Sequence, residues 1–452
     1  MNISDAHALM SINAPLAAGA RGAGLTSPGA DPFLDAADRI GRRLCRDAIW
    51  SGSRCNWLGW SMEIHGNAIR AVHRAMPPWL YHGTAGIALF LGHLEKLTGD
   101  REQRQALRGA VRLLGSRLEE LKAQPFGGLY VGLFGVGHAL LTLGELGGEE
   151  AWIKDGLRAM DLGVAQEVGP EQLDYLNGVA GAIPVLLGVA ARHGRPDLLE
   201  VARRYGDVLM HHAVTTAEGV SWPSAMASKN LTGFSHGTAG MACALLELHR
   251  VCPDERLLEA ARGALAYERH LFNPAMGNWP DYRENPRAPS KDPAYPVTWC
   301  HGAGGIGVAR VRILELLPDD PAVMGELDAA LRAVCVSLQA PVTPGVTDFS
   351  LCHGVLGNAE MLLLVADALG REDIREGART VGRLGVELYH RKGLPWPCGV
   401  MGAGETPGLL LGTAGIGTFY LRLHDTRAAP SPLLVRPAGA DQGALQGEKE
   451  EV

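Results

Sequence analysis

The sequence lacks the features that mark several common classes of protein. It has no excess of positive charge, since 42 Lys and Arg residues stand against 49 Asp and Glu residues and the net charge is −7. Nothing in this balance indicates a nucleic-acid-binding surface. No uninterrupted apolar run approaches the roughly 20 residues that a membrane span needs. The eight cysteines are sparse and include no CxxC pair, which argues against a secreted disulfide framework. We therefore expect a cytoplasmic globular protein with no membrane span and no nucleic-acid partner.

The two ends of the chain differ in composition from its middle. Residues 1–31 are rich in Ala, Gly and Pro and show neither an apolar period nor a secretory pattern, so we expect a disordered N-terminal segment. Residues 32–77 begin with an amphipathic stretch at 32–48 and are expected to form a helical lead-in. Residues 78–425 carry an internal repeat and are expected to form one closed domain, followed by a disordered tail at 426–452.

A Gly-x-x-Gly pair recurs seven times within the closed domain, and each pair opens a short apolar run. The pairs follow one another at intervals of 46 to 65 residues, which is typical of a repeat architecture. Glycine permits the positive φ angles and the close backbone approach that a tight loop before a helix needs. The first glycines of the seven pairs are Gly83, Gly132, Gly178, Gly237, Gly302, Gly354 and Gly412.

The segments between the glycine pairs predict two layers of helices. Residues 101–122 and 255–270 have apolar side chains at helical spacing and charged outer faces, as expected of helices with one buried face. The runs that follow the glycines are more uniformly apolar, as expected of helices buried on most sides. Few segments alternate with the two-residue period of a strand. We therefore predict an all-α fold, an α/α-toroid of seven helical hairpins with an inner and an outer helix layer.

Two of the glycine pairs are preceded by a cysteine and a histidine. The sequences are Trp-Cys-His-Gly, which contains Cys300, and Leu-Cys-His-Gly, which contains Cys352 and His353. Thiolate and imidazole are preferred zinc ligands, and two Cys with one His leave a fourth position open, as in catalytic zinc sites. The alternative is that Cys300 and Cys352 are buried small apolar residues. If the inner helices begin at one rim, their N-termini direct positive potential towards it, which favours a thiolate.

Other polar residues also precede the glycine pairs. His236 occupies in the fourth repeat the position of His353 in the sixth, and His82 does so in the first. Asp174 is an acid in an otherwise uncharged stretch, four residues before Gly178. These residues are candidates for the same site, although a lone histidine is more often structural and Asp174 could equally cap a loop or a helix.

At these residues the chain resembles the lanthionine synthetase C-like family, the lanthipeptide cyclases. WCHGAGGIGVARV and LCHGVLGN match the family's two zinc-ligand motifs, and HGTAG matches its His-Gly motif. The opening PPWLYHGTAGIALFLGHL and the form WCHG most resemble the cyclase domain of the bifunctional class II synthetases. The resemblance covers about residues 75–425 and implies a seven-hairpin α/α-toroid with one zinc ion at its mouth.

The resemblance also implies a reaction and the residues that carry it. Carried over by position, Cys300, Cys352 and His353 are the zinc ligands, and His236 and Asp174 fall at the family's acid/base positions. The implied reaction adds a peptide Cys thiol to dehydroalanine or dehydrobutyrine and forms lanthionine or methyllanthionine. The implied partners are a dehydrated precursor peptide and, since only about 75 residues precede the repeats, a separate dehydratase.

One departure from the family pattern keeps other functions open. Some cyclases carry an Arg four residues before the first zinc Cys, where this sequence has Pro296, and Arg283 or Arg287 are the nearby candidates to replace it. The alternative function is a non-cyclising zinc protein that binds glutathione or a partner protein. Zinc prenyltransferases are also toroids, but their Asp, Cys and His ligands differ from the two Cys in His-Gly contexts found here.

Overall fold

The computed structural model describes residues 31–65, 68–283, 292–318 and 320–437. The disorder predicted for residues 1–30 and 438–452 therefore concerns residues outside these ranges. The helices are α1 Pro32–Asp47, α2 Thr84–Thr98, α3 Arg101–Ser116, α4 Leu118–Lys122, α5 Leu133–Gly147, α6 Glu150–Val164, α7 Val179–His193, α8 Pro196–His212, α9 Thr238–Val251, α10 Glu255–Leu271, α11 Ala303–Leu316, α12 Pro321–Leu338, α13 Val355–Leu369, α14 Glu372–Gly385, which a π-helical turn Val386–His390 extends, and α15 Thr413–His424. The strands are β1 Ile49–Ser51, β2 Arg54–Asn56, β3 Leu58–His65, β4 Ala68–Ala75, β5 Val214–Thr216 and β6 Gly219–Ser221.

The inner layer consists of the seven helices that follow the glycine pairs, namely α2, α5, α7, α9, α11, α13 and α15. Each begins directly after the first glycine of its pair, which is the N-cap residue. Neighbouring inner helices pack against each other in chain order, and α15 packs against α2. This last contact closes the ring, so the predicted α/α-toroid is confirmed.

An outer helix packs against each inner helix. The six consecutive hairpins pair α2 with α3, α5 with α6, α7 with α8, α9 with α10, α11 with α12 and α13 with α14. In α3 the buried side chains recur at helical spacing, at Ala106, Leu107, Ala110, Val111 and Leu114. Such a stripe lets one face pack on the inner layer while the opposite face carries charge to solvent.

The seventh hairpin is completed by the N-terminal helix α1. No outer helix follows α15 within the described residues, and α1 packs against it instead. The rings of Phe33 and Tyr420 stack with their centroids 6.2 Å apart. Asp35 Oδ2 also lies 2.8 Å from Nε2 of His390, at the end of the α14 hairpin. The first helix therefore belongs to the toroid, whereas the sequence had placed it in a lead-in before the closed domain.

The rest of the expected helical lead-in forms β-structure. Strands β1–β2 and β3–β4 pair as two antiparallel ladders within residues 49–65 and 68–75. Strand forms there, contrary to the prediction, because Leu58, Trp60 and Met62 alternate with small or polar residues at the two-residue period of a strand. Thr406 Oγ1 holds β3 in place, since it accepts from the backbone N–H of Trp60 at 3.1 Å and donates to its carbonyl at 3.2 Å.

Residues two or, for Trp299, three positions before the first glycine of each pair meet in a ring of hydrogen bonds. The ring passes through all seven repeats and fixes their loops relative to one another at the rim where the inner helices begin. In order, the bonds join Tyr81 N–H to Tyr130 O (2.8 Å), Tyr130 N–H to Leu176 O (2.9 Å), Leu176 N–H to Ser235 O (3.0 Å), Ser235 Oγ–H to Cys300 O (3.0 Å), Trp299 N–H to Cys352 O (3.0 Å), Cys352 N–H to Leu410 O (2.9 Å) and Leu410 N–H to Tyr81 O (2.7 Å).

The C-terminal segment 426–437 enters the toroid and is not a disordered tail as predicted. Leu433 is fully buried. The carbonyl oxygen of Leu433 accepts from Trp299 Nε1 at 3.0 Å, and that of Pro432 accepts from Tyr130 Oη at 2.8 Å. The segment has no periodic pattern of its own. Its order comes from donors on distant repeats, which local composition does not reveal.

Within the described part of the chain, no helix combines the length and apolarity that crossing a membrane would require.

Candidate metal centre

The rim defined by the inner-helix N-termini brings two cysteines and a histidine together. Cys300 precedes α11, and Cys352 and His353 precede α13. Their three ligand atoms all lie within 4.8 Å of one another. Ligands bound at about 2.0–2.3 Å to a tetrahedral zinc ion lie roughly 3.3–3.8 Å apart. The three donors are therefore spaced so that a single zinc ion could bind between them after small side-chain movements.

The burial of the three residues differs in a way that suits an open coordination position. Cys352 is 1% exposed, Cys300 is partly buried, and the His353 side chain is 37% exposed. Two ligands thus face the protein interior, while the third borders the solvent at the mouth. This arrangement leaves room for a substrate group beside His353.

The orientation of His353 is set by the loop before α15. Its Nε2 lies 2.8 Å from the carbonyl oxygen of Gly399 and 3.6 Å from Asp348 Oδ2. A Cβ at Gly399 would lie 2.9 Å from Nε2, so glycine is needed for this close approach. With Nε2 engaged by the carbonyl, Nδ1 is the ring atom left for the metal, as in other metal sites with a hydrogen-bonded histidine.

The electrostatics of the triad favour a negative sulfur and a positive imidazole. Hydrogen bonds from Cys352 and His353 hold the pKa of Cys300 well below its usual value, although burial opposes this. Burial raises the pKa of the neighbouring Cys352 thiol. For His353, burial acts to lower the pKa, but the hydrogen bond to Cys300 and the charge of Asp348 outweigh it and raise the pKa to about 9. The sulfurs thus form a site that attracts a cation.

The loop that carries Cys300 depends on Gly302. The φ angle of Gly302 is 75°, in the left-handed region that other residues rarely adopt. A Cβ there would lie 1.8 Å from the carbonyl oxygen of Pro296, which also accepts a hydrogen bond from Asn278 Nδ2 at 3.0 Å. Pro296 thus helps to build the loop, at the position where the sequence comparison expected an arginine.

His236 and Asp174 are also brought together at the mouth. His236 Nδ1 lies 2.7 Å from Asp174 Oδ2, and their side chains are 16% and 17% exposed. The other carboxylate oxygen of Asp174 accepts from the backbone N–H of Asn177 at 2.6 Å. Asp174 therefore caps its loop and orients His236 at the same time. The sequence left open whether Asp174 belongs to the site or caps a loop, and the two roles are compatible.

His301 joins this pair to the cysteine loop. Its ring stacks on that of His236 with centroids 5.5 Å apart, and it is only 1% exposed. Both ring nitrogens lack a hydrogen-bond partner among the described residues. Burial lowers the pKa of His301 to about 4, and the charges of Arg283 and His236 act in the same direction. His301 is therefore a neutral ring that packs under His236.

Arg283 approaches the site from the loop after α10. Its Nε and Nη2 are bound by the carboxylate of Asp281, the shortest contact being 2.8 Å. Burial acts to lower the pKa of Arg283, but Asp281 and the charges of Cys300 and Cys352 raise it. The guanidinium thus lies within electrostatic range of both sulfurs. The other arginine that the sequence offered as a replacement at the Pro296 position, Arg287, lies outside the described residues.

His82 does not join the metal triad. Burial lowers its pKa to about 4, with a further contribution from Arg74, and its Nδ1 has no hydrogen-bond partner among the described residues. The residue before it, Tyr81, was missed by the sequence analysis although its Oη lies 2.9 Å from Cys352 Sγ. The signal that could have revealed it is positional, because Tyr81 precedes Gly83 by the same two residues by which Cys352 precedes Gly354.

Comparisons with known proteins agree with this fold. A sequence model of the family described as lanthionine synthetase C-like protein matches residues 74–434. The lacticin 481/lactococcin biosynthesis protein of Lactococcus lactis subsp. lactis is 22% identical over 194 residues, which are 42% of this chain and 20% of that protein. The chain thus spans about a fifth of the length of this curated relative. Nisin cyclase has a similar fold, with a TM-score of 0.59 and 16% identity over 82% of this chain and 94% of nisin cyclase.

Fold and site together define a class of protein, an α/α-toroid with two cysteines, a histidine and a His–Asp pair at its mouth. Within this class the family match covers most of the chain. The chain belongs to the lanthionine synthetase C-like family, as the sequence motifs indicated.

Proposed function

We propose that this protein is a zinc-dependent peptide cyclase, which adds Cys thiols to dehydroalanine or dehydrobutyrine and forms lanthionine or methyllanthionine rings. The observation that carries the proposal is the convergence of the Cys300, Cys352 and His353 donor atoms within 4.8 Å, at the same rim as the hydrogen-bonded His236–Asp174 pair. Membership of the lanthionine synthetase C-like family supports it.

Zinc fits this donor set better than a hard cation does. Two sulfurs and one imidazole are soft or borderline donors, which favour zinc over magnesium or calcium. Cys300, Cys352 and His353 would hold the ion, and the exposed side of His353 would leave its fourth position open. When bound, zinc would supply Lewis acidity that stabilises the substrate Cys as a thiolate near neutral pH.

We assign proton transfer to His236. In the addition, the substrate sulfur bonds to the β-carbon of the dehydro residue, and the π electrons move onto the α-carbon and its carbonyl oxygen as an enolate. The substrate thiol loses its proton when it becomes a thiolate, and His236 can take up this proton and return it to the α-carbon. Because His236 Nδ1 is bound to Asp174, its Nε2 is the atom free to deliver this proton. Asp174 orients the ring and stabilises it when it is protonated.

We assign stabilisation of the enolate oxygen to Arg283. Asp281 occupies Nε and Nη2 of the guanidinium, and Nη1 has no hydrogen-bond partner among the described residues. The Arg283 side chain is 38% exposed, so Nη1 is accessible to a peptide carbonyl at the mouth. A fixed positive charge at the oxygen where negative charge develops lowers the barrier to addition. Arg283 would thus supply the charge that Pro296 cannot.

The reaction consumes a peptide that already contains dehydro residues. An elimination of water from Ser or Thr must therefore come first, and we propose that a separate dehydratase supplies this dehydrated precursor peptide. A cytoplasmic location is part of the same proposal, because all eight cysteines are free thiols and a reducing compartment keeps them so.

The experiment that tests the function combines metal analysis with a thiol-addition assay. The wild-type protein is expected to bind one zinc ion and to make the Cys residues of a dehydrated peptide resistant to alkylation. The Cys352→Ala variant should lose both properties. Cys335→Ala is the matched control, because Cys335 is a buried free thiol on the outer helix α12 and should be dispensable for both.

Two outcomes would count against the proposal. Full zinc occupancy in Cys352→Ala would contradict the ligand assignment. Zinc binding by the wild-type protein without thiol addition to any dehydrated peptide would favour the alternative of a zinc protein that binds glutathione or a partner protein.

A further inference from the structure

Tyr81 occupies in the first repeat the position that the zinc cysteines occupy in the fifth and sixth. Each of Tyr81, Cys300 and Cys352 precedes the first glycine of its pair by two residues. Each also takes part in the ring of rim hydrogen bonds. The repeat symmetry that brings the two sulfurs together therefore also directs the Tyr81 phenol towards the same centre, where its Oη lies 2.9 Å from Cys352 Sγ.

The phenol is held in this position from several sides. The Tyr81 N–H donates to Tyr130 O at 2.8 Å, and the Tyr81 carbonyl accepts from Leu410 N–H at 2.7 Å. The Tyr81 ring packs edge-on against the rings of His82 and Tyr130, with centroids 5.8 and 6.5 Å away. Fixed backbone and fixed ring together restrict the hydroxyl to the neighbourhood of Cys352.

The direction of the hydrogen bond follows from the chemistry of the two groups. A thiolate has no proton and can only accept, whereas a phenol carries one O–H donor. A phenol ordinarily has a pKa of about 10 and so carries its proton at neutral pH. When Cys352 binds a metal as a thiolate, the phenol is therefore the donor and the sulfur the acceptor.

We propose that Tyr81 is a positioning residue of the metal centre, which donates a hydrogen bond to the Cys352 thiolate and so limits how much negative charge this sulfur gives to the metal. The inference rests on the proposed function, because it requires Cys352 to be a ligand. A hydrogen bond to a ligand sulfur withdraws electron density from it, and outer partners of this kind typically change metal affinity or activity by about 10–100-fold. In this protein the effect would leave the metal more able to stabilise the substrate thiolate.

The test is the absorption spectrum of the cobalt-substituted protein, which reports on the ligand sulfurs without any reaction. In Tyr81→Phe the Cys352 thiolate loses its donor, so the thiolate-to-cobalt charge-transfer band should move to lower energy while one equivalent of cobalt still binds. Thiol addition by the zinc form should fall by about 10–100-fold. Tyr130→Phe is the matched control, since Tyr130 holds the equivalent position of the second repeat but donates to Pro432 O. Its band should not move.

A second substitution tests the sign of the effect and does not remove the ring. Replacement of Tyr81 by 3-fluorotyrosine makes the phenol a stronger donor and should move the band to higher energy. Unchanged bands in both Tyr81 variants would overturn the inference and leave the ligand assignment intact. Absence of any thiolate-to-cobalt band in the wild-type protein would instead overturn the metal centre itself, and the role of Tyr81 with it.

Discussion

At the scale of single residues, neighbours decide what each side chain at the mouth can do. His301, His353 and His236 have the same side chain, but three environments separate them. His301 is buried, has no hydrogen-bond partner within the described part of the chain and stays neutral. His353 lies beside Cys300 and Asp348 and has a raised pKa, and His236 is held by Asp174. The first suits packing, the second favours a positive charge beside Cys300, which a bound metal ion would supply in place of the proton, and the third suits proton transfer.

The acid–base role proposed for His236 predicts a variant that separates metal binding from addition. His236→Ala should keep its zinc ion, because His236 is not among the three ligands, while the rate of thiol addition falls by roughly 10²–10⁴-fold. His249→Ala is the control at the far end of the same helix α9, and its rate should be close to that of the wild type. Zinc content and alkylation of unreacted Cys measure the two properties, and loss of zinc from His236→Ala would refute the assignment.

The role of Arg283 predicts a loss of rate without a loss of metal. Arg283→Met keeps most of the side-chain length but removes the charge at the enolate oxygen, so addition should slow by about 10²–10³-fold. Arg256→Met is a close control, because Arg256 forms the same kind of fork with an aspartate two residues earlier, Asp254, at an exposed helix start. Single-turnover rates on a dehydrated peptide measure the effect. If both variants keep the wild-type rate, another group stabilises the enolate.

At the scale of elements, buried ion pairs join the inner helices to their outer partners. Arg310 on the inner helix α11 is fully buried and binds Glu268 Oε2 on α10 at 2.7 Å and Glu326 Oε2 on α12 at 2.6 Å. Glu268 also accepts from Gly233 N–H and Thr238 Oγ1 beside the start of α9. One guanidinium thus links the fourth and fifth hairpins near the loop of His236.

This linkage predicts that Arg310→Met is strongly destabilising. The substitution leaves the buried Glu268 carboxylate without its cation, while Glu326 keeps only its contact with Arg269. Breaking a buried pair in this way costs about 3–5 kcal/mol of the free energy of unfolding. Arg332→Met is the matched control on α12, because Arg332 forms an exposed ion pair with Asp328 one turn away and should cost less than about 1 kcal/mol. Urea unfolding followed by circular dichroism measures both values. Similar midpoints for the two variants would show that the buried pair is not needed for stability.

At the scale of the whole molecule, both ends of the described chain complete the toroid. Helix α1 supplies the outer partner of α15, and segment 426–437 fills the interior. The segment contacts Trp299, the residue before the proposed ligand Cys300, through a hydrogen bond from the indole to Leu433 O. The C-terminal segment is therefore connected to the metal centre through the rim.

The interior segment predicts different effects for two truncations. A chain that ends after Asp425 loses the buried Leu433 and the acceptors of Tyr130 and Trp299, so its free energy of unfolding should fall by at least the 2–5 kcal/mol typical of one large buried side chain, and its zinc affinity should fall as well. A chain that ends after Pro437 keeps all of these contacts and should match the full-length protein. Unfolding midpoints and zinc competition measure the result. Equal stability of all three proteins would show that the segment does not support the fold.

The sequence by itself determined the features that a local pattern encodes. The seven glycine pairs predicted where each inner helix begins, because a tight loop before a helix needs glycine and the apolar run after it needs burial. The motifs around Cys300, Cys352 and His353 indicated a metal site, because these side chains stand at equivalent positions of neighbouring repeats. The same positional rule, applied to Tyr81, would have revealed one more residue of the site.

Only the tertiary structure decided the features that depend on contacts between distant repeats. Helix α1 belongs to the seventh hairpin because its apolar face packs on α15, about 380 residues away in the sequence. Segment 426–437 is ordered because Tyr130, Trp299 and Arg422 bind its carbonyl groups. Arg283 is held within electrostatic range of the two sulfurs because Asp281 binds its guanidinium. Such contacts leave little trace in local composition, since their energy is gained only when the ring closes.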